Sequence, residues 1–465
     1  MNDPPEWAGF LGYVFFCLFG ILFFVHGLAM FCAGLTTAKS SLGQLAYSVV
    51  VCSVVMLQFY TIGYSLMFSG AETGGDASWS RFIGDFGAAF LHSVDYTDPL
   101  AMGQVLLMYG FSVVPACLLA SAACQRGRFV PMLVFVCAWM TLVYCPVAHW
   151  CWHQNGWSFQ LGALDYAGGT IIHITAGFGA LVYSLVLGPR LTYARGREER
   201  PFSLPLVVSG TAHMLFGWIG FTGASQTDAP GSALLGVFNT LLSAATGGLG
   251  WMALDSHVGG SDELSLVSFC SGVVSGLVAI TPGAGYVPSW AGMLLGLAGG
   301  LGCNLATRVK FYLGVDDPLD MFAVHGIGGV IGTLLTGVFA LPEFRQPYQF
   351  WLQLLSAVTT AAYTLGCTLV IAVAIDSVPS LAMRIDPDRE QLGSDASEHG
   401  ESAMGSTPEI VNTHMDVPRR TNTGDLTRLR QANVNVSMQF GAYDQPLLQR
   451  LPLSYGTYSD AEDRP

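Results

Sequence analysis

Long apolar stretches alternate with short polar connections along most of the chain. Eleven of them are about 18 residues or longer with few charges, the length at which an α-helix can cross a bilayer. They cover residues 9–35, 44–69, 101–124, 130–150, 168–189, 204–223, 232–254, 264–281, 287–306, 320–341 and 349–377. The pattern predicts an all-α polytopic membrane protein with eleven transmembrane helices.

Basic residues are distributed unevenly between the connections. Nine follow odd-numbered stretches and two follow even-numbered ones. The nine are Lys39, Arg126, Arg128, Arg190, Arg195, Arg197, Arg200, Arg308 and Lys310, and the two are Arg81 and Arg345. Because cytoplasmic connections carry the excess of Lys and Arg, we expect residues 1–8 outside the cell and the C-terminus in the cytoplasm.

Composition supports this class and excludes others. The chain is 52% hydrophobic and 11% charged, less than half the charge of an average soluble domain. Its net charge of −13 argues against a nucleic-acid partner. The last 82 residues hold 21 of the 51 charged residues and have no long apolar run, so we expect disorder in much of that tail.

A short pattern, D-x7-H-x3-G, occurs at the start of the fifth and of the tenth stretch. Its two copies are Asp165, His173 and Gly177, and Asp317, His325 and Gly329. Five helices per half would insert the second half upside down, which predicts an inverted repeat of spans 1–5 and 6–10. If the eight residues from Asp to His are helical, each histidine lies about 12 Å from its own membrane face.

Two histidines at that depth would meet near the midplane, as a proton relay or a ligand site. A lone intramembrane histidine more often bonds a neighbouring helix, and it is the pairing that favours function. Asp165 and Asp317 stand at helix starts, where a carboxylate caps backbone N–H groups. Capping does not exclude a further electrostatic role.

Aromatic residues cluster on the predicted outer side. Trp152, Phe111 and Ser225 could converge beside Asp165, although interfacial tryptophan is more often a membrane anchor. Aromatic faces, a hydroxyl and an acid without a basic group favour a small cation over an anion. Neither a metal nor another cofactor is expected, and we find no nucleophile–base pair that would indicate an enzyme.

The chain resembles the ammonium transporter family (Amt/Mep/Rh), on its Amt/Mep side, over residues 9–403. The phrases that carry the resemblance are residues 165–173 (DYAGGTIIH), 217–225 (GWIGFTGAS), 281–286 (TPGAGY), 316–326 (DDPLDMFAVHG) and 393–401 (GSDASEHGE). This chain departs from the family pattern at two places. It has His26-Gly27-Leu28 where the family usually has Pro-Gly-Leu, and Leu107 where the family usually has a second aromatic residue of the recruitment site. We expect the second difference to affect binding affinity and the first to affect helix kinking.

The resemblance implies roles for individual residues. Trp152, Phe111, Ser225 and Asp165 would recruit ammonium at the outer side. Phe111 and Phe221 would stack as a gate, His173 and His325 would relay protons in the pore, and Asp317 would be a structural acid at a helix start.

The resemblance also implies an assembly and a domain organisation. It predicts a homotrimer in the lipid of the plasma membrane, with one pore per subunit and methylammonium as a substrate analogue. Residues 9–383 would form the transport domain and 384–403 a cytoplasmic regulatory segment. Beyond the resemblance, composition predicts that residues 404–465 are a disordered cytoplasmic tail, and the basic-directed pattern of residues 420–423 (RTNT) could be recognised by a regulator or kinase.

The expected mechanism is removal of a proton from ammonium, conduction of ammonia, and proton transfer along the histidines. Two alternatives stay open: an ammonium sensor or transceptor that signals through the tail, and a passive ammonia or carbon dioxide channel of the Rh type.

Overall fold

The computed structural model describes residues 6–70, 78–194, 201–225, 230–259 and 263–403. Within these ranges all regular structure is helical, apart from an isolated antiparallel bridge between Gly127 and Arg384. Each predicted stretch corresponds to a helix. The helices are α1 Glu6–Leu35, α2 Ser41–Phe68, α3 Pro99–Ser121, α4 129–152, α5 Gly169–Leu187, α6 Leu204–Ala224, α7 Pro230–Gly259, α8 Leu266–Ile280, α9 Ser289–Ala306, α10 Phe322–Phe339 and α11 Gln349–Asp376.

Ten of the described helices are long and apolar enough to cross a membrane, and α8 is the exception. The sequence predicted residues 264–281 as a full-length span, whereas α8 has only 15 residues. It starts late because the Ser265 hydroxyl accepts from the Ser268 N–H as an N-cap. It ends at Ile280 because Pro282, two residues later, has no N–H to continue the helical hydrogen bonds.

Shorter helices occupy the connections and the chain after α11. They are Ser78–Arg81, Ala89–Leu91, Trp157–Gln160, Leu191–Ala194, Val309–Leu313, Pro379–Leu381, Pro387–Leu392 and Asp395–His399. Residues 1–5 and 404–465 of the predicted outer N-terminus and tail lie outside the described residues.

Helices α1 and α6, the first of each predicted repeat, pack with their backbones in close contact. A Cβ atom at Gly27 would lie 2.7 Å from the Gly210 carbonyl oxygen, and one at Gly217 would lie 2.6 Å from the Gly20 carbonyl oxygen. Small residues allow such an approach between membrane helices. Helix α1 runs without interruption through His26-Gly27-Leu28, so the departure from the family phrase introduces no break.

The segment after α11 folds back against the helix ends on the predicted cytoplasmic side. The Asp395 carboxylate accepts from the backbone N–H groups of Leu42 and Gly43, at 3.0 and 2.7 Å, in the first turn of α2. Glu398 accepts from the Phe129 N–H of α4 at 2.9 Å. Carboxylates are stabilised at helix N-termini, so this segment caps two helices of the membrane domain.

Candidate functional site

His173 and His325 meet in the interior, as the repeat predicted. Their Nδ1 atoms are 3.2 Å apart, and both side chains are buried. Their ring centroids are 5.3 Å apart, with planes inclined by 25°. For a hydrogen bond at this distance one Nδ1 must donate its proton and the other must accept, so the two imidazoles hold opposite tautomers.

The path by which the chain reaches these histidines differs from the expected eight helical residues. Helix α5 begins only at Gly169 and α10 at Phe322. His173 is therefore the fifth residue of α5 and His325 the fourth residue of α10. Most of the chain between each aspartate and the start of its helix is non-helical. Both histidines lie on π-helical turns, Gly169–Ile174 and Phe322–Ile327, a geometry frequent at functional sites.

The glycines that close the two sequence patterns explain why the histidines meet. A Cβ atom on Gly177 would lie 2.9 Å from the His325 carbonyl carbon. One on Gly329 would lie 3.1 Å from the His173 Cβ and 2.9 Å from the Gly169 carbonyl oxygen. Each glycine thus lets its helix cross the other at the opposite histidine.

A continuous row of aromatic and imidazole rings leads to the histidine pair. Centroid distances between successive rings lie from 4.8 to 5.8 Å. In order, the rings are Trp152, Phe111, Phe221, Trp218, His173 and His325. The row joins the predicted recruitment residues to the predicted relay.

Phe111 and Phe221 are the most closely spaced rings of the row, and both are buried. The family resemblance predicted a stacked pair, but the two ring planes are inclined by 56° at a centroid distance of 4.8 Å. The tilt follows from their neighbours, since Phe221 also lies 22° from parallel with Phe24 of α1. The two rings still contact each other, with Trp152 beside Phe111 and Trp218 beside Phe221.

Trp218 is a site residue that the sequence analysis did not single out. Its ring is stacked on His173, with centroids 5.3 Å apart and an angle of 16°. Its indole N–H donates to the Thr281 hydroxyl at 3.1 Å. Its position three residues before Phe221, which places both rings on one face of α6, is the signal that could have identified it.

The predicted outer site is only partly assembled from side chains. The Trp152 indole N–H donates to the Asp165 backbone carbonyl at 3.0 Å, and Trp152 contacts Phe111 edge-on. The Ser225 hydroxyl donates to the Phe221 carbonyl at 3.2 Å, one turn earlier on α6. Trp152, Phe111 and Ser225 are therefore each tied to the start of the ring row.

The Asp165 carboxylate is engaged by backbone instead of facing the ring row. It accepts from four successive N–H groups at 2.6–3.2 Å, those of Gly168, Gly169, Thr170 and Ile171. Desolvation raises the pKa of Asp165 to about 6, and the four donors act in the opposite direction. The side chain caps α5, and its carbonyl orients Trp152.

Asp317 has the equivalent place before α10 with fewer bonds. Its Oδ2 accepts from the Phe322 N–H at 2.9 Å, which matches the predicted helix-start role. Beside it, Asp316 forms a two-point ion pair with Arg190 at 2.8 and 2.9 Å. Although burial raises the pKa of Asp316, Arg190 and Arg126 outweigh this effect and hold it below its usual value.

A cavity extends from His325 toward the predicted cytoplasmic side. Most of its walls are apolar, and its polar members include Asp320 and Ser271. The remaining lining residues are Leu28, Phe31, Leu35, Met214, Trp251, Val274, Leu319, Met321 and Val324. Among the described residues, no group of three or more His, Cys, Asp or Glu side chains could hold a metal ion.

These features define a multi-pass membrane protein with an internal row of aromatic and imidazole rings. The sequence model of the Ammonium Transporter Family matches residues 12–404. The ammonium transporter MEP2 of Saccharomyces cerevisiae is 36% identical over 437 residues, which cover 89% of this chain and 86% of MEP2. The ammonium transporter Amt1 of Archaeoglobus fulgidus is 34% identical, over 82% of this chain and 96% of Amt1.

Solved structures agree with the sequence relatives. A crystal structure of Candida albicans Mep2 superposes with a TM-score of 0.75 at 33% identity, over 82% of this chain and 86% of that one. The chain belongs to the ammonium transporter family, which confirms the resemblance drawn from its sequence phrases.

Proposed function

We propose that this protein transports ammonium by separating it into ammonia and a proton. Ammonium binds at the outer end of the ring row, loses a proton there, and crosses the apolar part as ammonia. The proton travels separately along His173 and His325. The observation that carries this proposal is the 3.2 Å Nδ1–Nδ1 contact of two buried imidazoles at the end of that row.

The positive charge of ammonium is the reason that the proton and ammonia must cross the apolar part separately. Moving an unpaired cation into a medium of low dielectric constant costs tens of kcal/mol in the idealised case. At the outer end, Trp152 and Phe111 can offset part of that cost through cation–π contact, and the Ser225 hydroxyl can accept a hydrogen bond. Between the tilted Phe111–Phe221 pair and His325, the described residues of the row are Trp218 and His173, which offer ring surfaces and no carboxylate or basic side chain, and this favours a neutral molecule.

The histidine pair is suited to carry the proton. In this scheme the His173 Nε2 accepts a proton, its Nδ1–H passes to the His325 Nδ1, and the His325 Nε2 releases a proton. The described residues offer no hydrogen-bond partner to the His173 Nε2, which leaves it able to accept. Imidazole suits the task because its intrinsic pKa lies near neutrality and both nitrogens exchange protons.

The assembly and location follow the same proposal. We infer a homotrimer in the plasma membrane, with the outer site facing the medium and residues 384–403 in the cytoplasm. The basic connections support this orientation. The caps that Asp395 and Glu398 place on α2 and α4 support a regulatory role for residues 384–403, because release of that segment would expose two helix ends.

Reconstituted vesicles provide the test. We expect an ammonium pulse to evoke a current, and an equal potassium pulse to evoke none, because potassium has no proton to lose. We expect His173→Ala to reduce the ammonium current strongly. Equal currents from ammonium and potassium in the unmodified protein would overturn the proposal.

A further inference from the structure

His149 is a buried histidine of α4 to which the proposed pathway assigns no role. It lies three residues before Trp152, in the last turns of the helix on the predicted outer side. Both of its ring nitrogens contact backbone carbonyl oxygens: Nδ1 lies 2.9 Å from the Met67 oxygen, and Nε2 lies 2.8 Å from the Ser80 oxygen. These two contacts determine how many protons the ring carries.

A neutral imidazole cannot satisfy both contacts of His149. It has one N–H donor and one nitrogen with a lone pair, and a lone pair that faces a carbonyl oxygen is repelled by it. An imidazolium has two N–H donors and matches two carbonyl oxygens at ordinary hydrogen-bond distances. The geometry therefore fits His149 with two protons and a positive charge.

The end of α2 supplies electrostatic stabilisation for that charge. Met67 lies in the last turn of α2, where carbonyl groups lack partners within the helix and the helix dipole attracts cations. No ion pair among the described residues involves His149, so a carboxylate does not cancel its charge. Loss of one proton would remove one of the two hydrogen bonds together with the charge.

The neighbouring His153 is neutral in the same structure. Its ring is stacked on His149, with centroids 4.3 Å apart and planes inclined by 16°. Its Nδ1 accepts a hydrogen bond from the Asn155 N–H at 3.1 Å, so that nitrogen carries no proton. Two imidazolium rings at this distance would repel each other, so the stacked pair holds one charge, on His149.

Other titratable or charged residues lie on the elements around His149. They are Tyr64 of α2, Arg81 and Asp85 of the connection between α2 and α3, Cys145 and Cys151 of α4, and Asp165 before α5. Asp85 is bound by the Ser69 hydroxyl at 2.6 Å, and Arg81 is exposed. Since the pKa of Asp165 is about 6, a test of His149 has to separate the effects of these two residues.

His149 couples α4 to the outer connection between α2 and α3. The next residue, Trp150, donates its indole N–H to the Phe82 carbonyl oxygen at 2.6 Å. Residues 149 and 150 thus hold the connection at residues 80 and 82, and only the His149 bond depends on a titratable group. The following residues of α4 include Trp152, which is tied to the Asp165 carbonyl. The end of α4 therefore contacts both the outer connection and the predicted outer site.

We propose that His149 is a proton-binding site that weakens ammonium binding at the outer site when the outer medium is acidic. This inference rests on the proposed function, which assigns that site to ammonium. With two protons, His149 fixes residues 78–82 to α4 and places a positive charge near Trp152, because residues three apart are neighbours on a helix. When one proton passes to water, one N–H bond breaks, one hydrogen bond is lost, and the repulsion of the bound cation ends.

Amide hydrogen exchange of residues 78–85 tests the proton site independently of transport. The unmodified protein, His149→Gln and His153→Asn are compared at about pH 5.5 and about pH 8, with rates corrected for the intrinsic effect of pH. In the unmodified protein we expect about tenfold slower exchange at the lower pH, the effect of one charge-assisted hydrogen bond. In His149→Gln we expect equal rates. The matched control His153→Asn keeps an acceptor for the Asn155 N–H and should behave as the unmodified protein.

Ammonium-evoked current in right-side-out vesicles tests the effect on the outer site. A unit charge about 10 Å from the bound ion, at an effective dielectric constant of about 40, changes affinity about fourfold. Between about pH 8 and about pH 5.5, half-saturation should therefore rise about fourfold more in the unmodified protein and in His153→Asn than in His149→Gln. Asp165 titrates in all three proteins, so its contribution cancels in this comparison.

Thermal stability in detergent shows whether each variant folds. If His149→Gln does not fold, exchange in the other two proteins still decides, because rates for residues 78–85 that do not depend on pH would overturn the proton site. The same pH dependence of half-saturation in a folded His149→Gln and in the unmodified protein would also overturn the proposal. An unmodified protein with pH-dependent exchange but without ammonium current would support the proton site and contradict the proposed function.

Discussion

The close contact between α1 and α6 gives a quantitative test of how the ring row is positioned. Gly217 immediately precedes Trp218, whose ring contacts His173 and Phe221. A Cβ atom at Gly217 would lie 2.6 Å from both the Gly20 carbonyl oxygen and the Phe24 Cα. Both atoms belong to backbone, so no rotation of a side chain can relieve the overlap.

The expected cost of Gly217→Ala follows from that geometry. An ordinary contact would require α1 to move away from α6 by about 1 Å, and overpacking of this kind costs about 1–3 kcal/mol. Alanine has a better helix propensity than glycine, which stabilises the helix by about 1 kcal/mol and offsets part of this cost. Gly223→Ala is a matched control on the same helix, because its nearest atoms would lie 3.5 and 3.6 Å away, in ordinary contact.

We expect Gly217→Ala to be less stable than Gly223→Ala by about 1–3 kcal/mol, and to lose most methylammonium uptake as Trp218 shifts from His173. Stability is measured as the midpoint of thermal aggregation of detergent-solubilised protein, and uptake as accumulation of labelled methylammonium in cells. A Gly217→Ala protein as stable and active as Gly223→Ala would refute the close-packing argument.

Four further predictions concern the outer aromatic residue, the two acids at helix starts and the segment after α11. Trp152→Leu removes a cation–π face worth about 1–2 kcal/mol, so KM for methylammonium should rise about tenfold with a smaller change in maximal rate, measured by initial uptake. Asp165→Asn turns an NH₂ group toward two of four N–H donors and should reduce uptake at least as much as the Trp152 change. Asp317→Asn keeps an acceptor for Phe322 and should reduce uptake less than Asp165→Asn. Asp395→Ala leaves two N–H groups of α2 uncapped, so limited proteolysis should cut residues 384–403 faster than in the unmodified protein, and equal rates would argue against docking.

Apolar length and basic connections were sufficient to predict the helices, because burial in lipid imposes those properties on the sequence directly. The histidine pair was also predictable, since two copies of one pattern stood at equivalent helices. The short α8 was not, because its apolar run continues past the helix and only the Ser265 cap and Pro282 end it. The ends of α8 are therefore determined by a capping residue and a proline, and the hydropathy of the sequence does not reveal them.

Features that depend on how the helices pack against each other could not be predicted from the sequence. The sequence does not distinguish Trp218 from the other nine tryptophans. Only the packing of α6 against α5 shows that its ring stacks on His173. In the sequence, Lys310 is one of several basic residues in a predicted cytoplasmic connection. Only the folded chain shows that its Nζ forms an ion pair with Asp320. The Asp165 carboxylate could equally have faced the substrate, and only the backbone geometry assigns it to the start of α5.

The central claim is that His173 and His325 carry the proton while ammonia moves separately. Its most direct test is the ratio of charge to methylammonium, recorded together in vesicles that contain the unmodified protein or His325→Ala. The account predicts about one charge per methylammonium in the unmodified protein, and a current reduced at least tenfold in the variant while potassium remains excluded. A folded His325→Ala protein with the same current and the same ratio would contradict it.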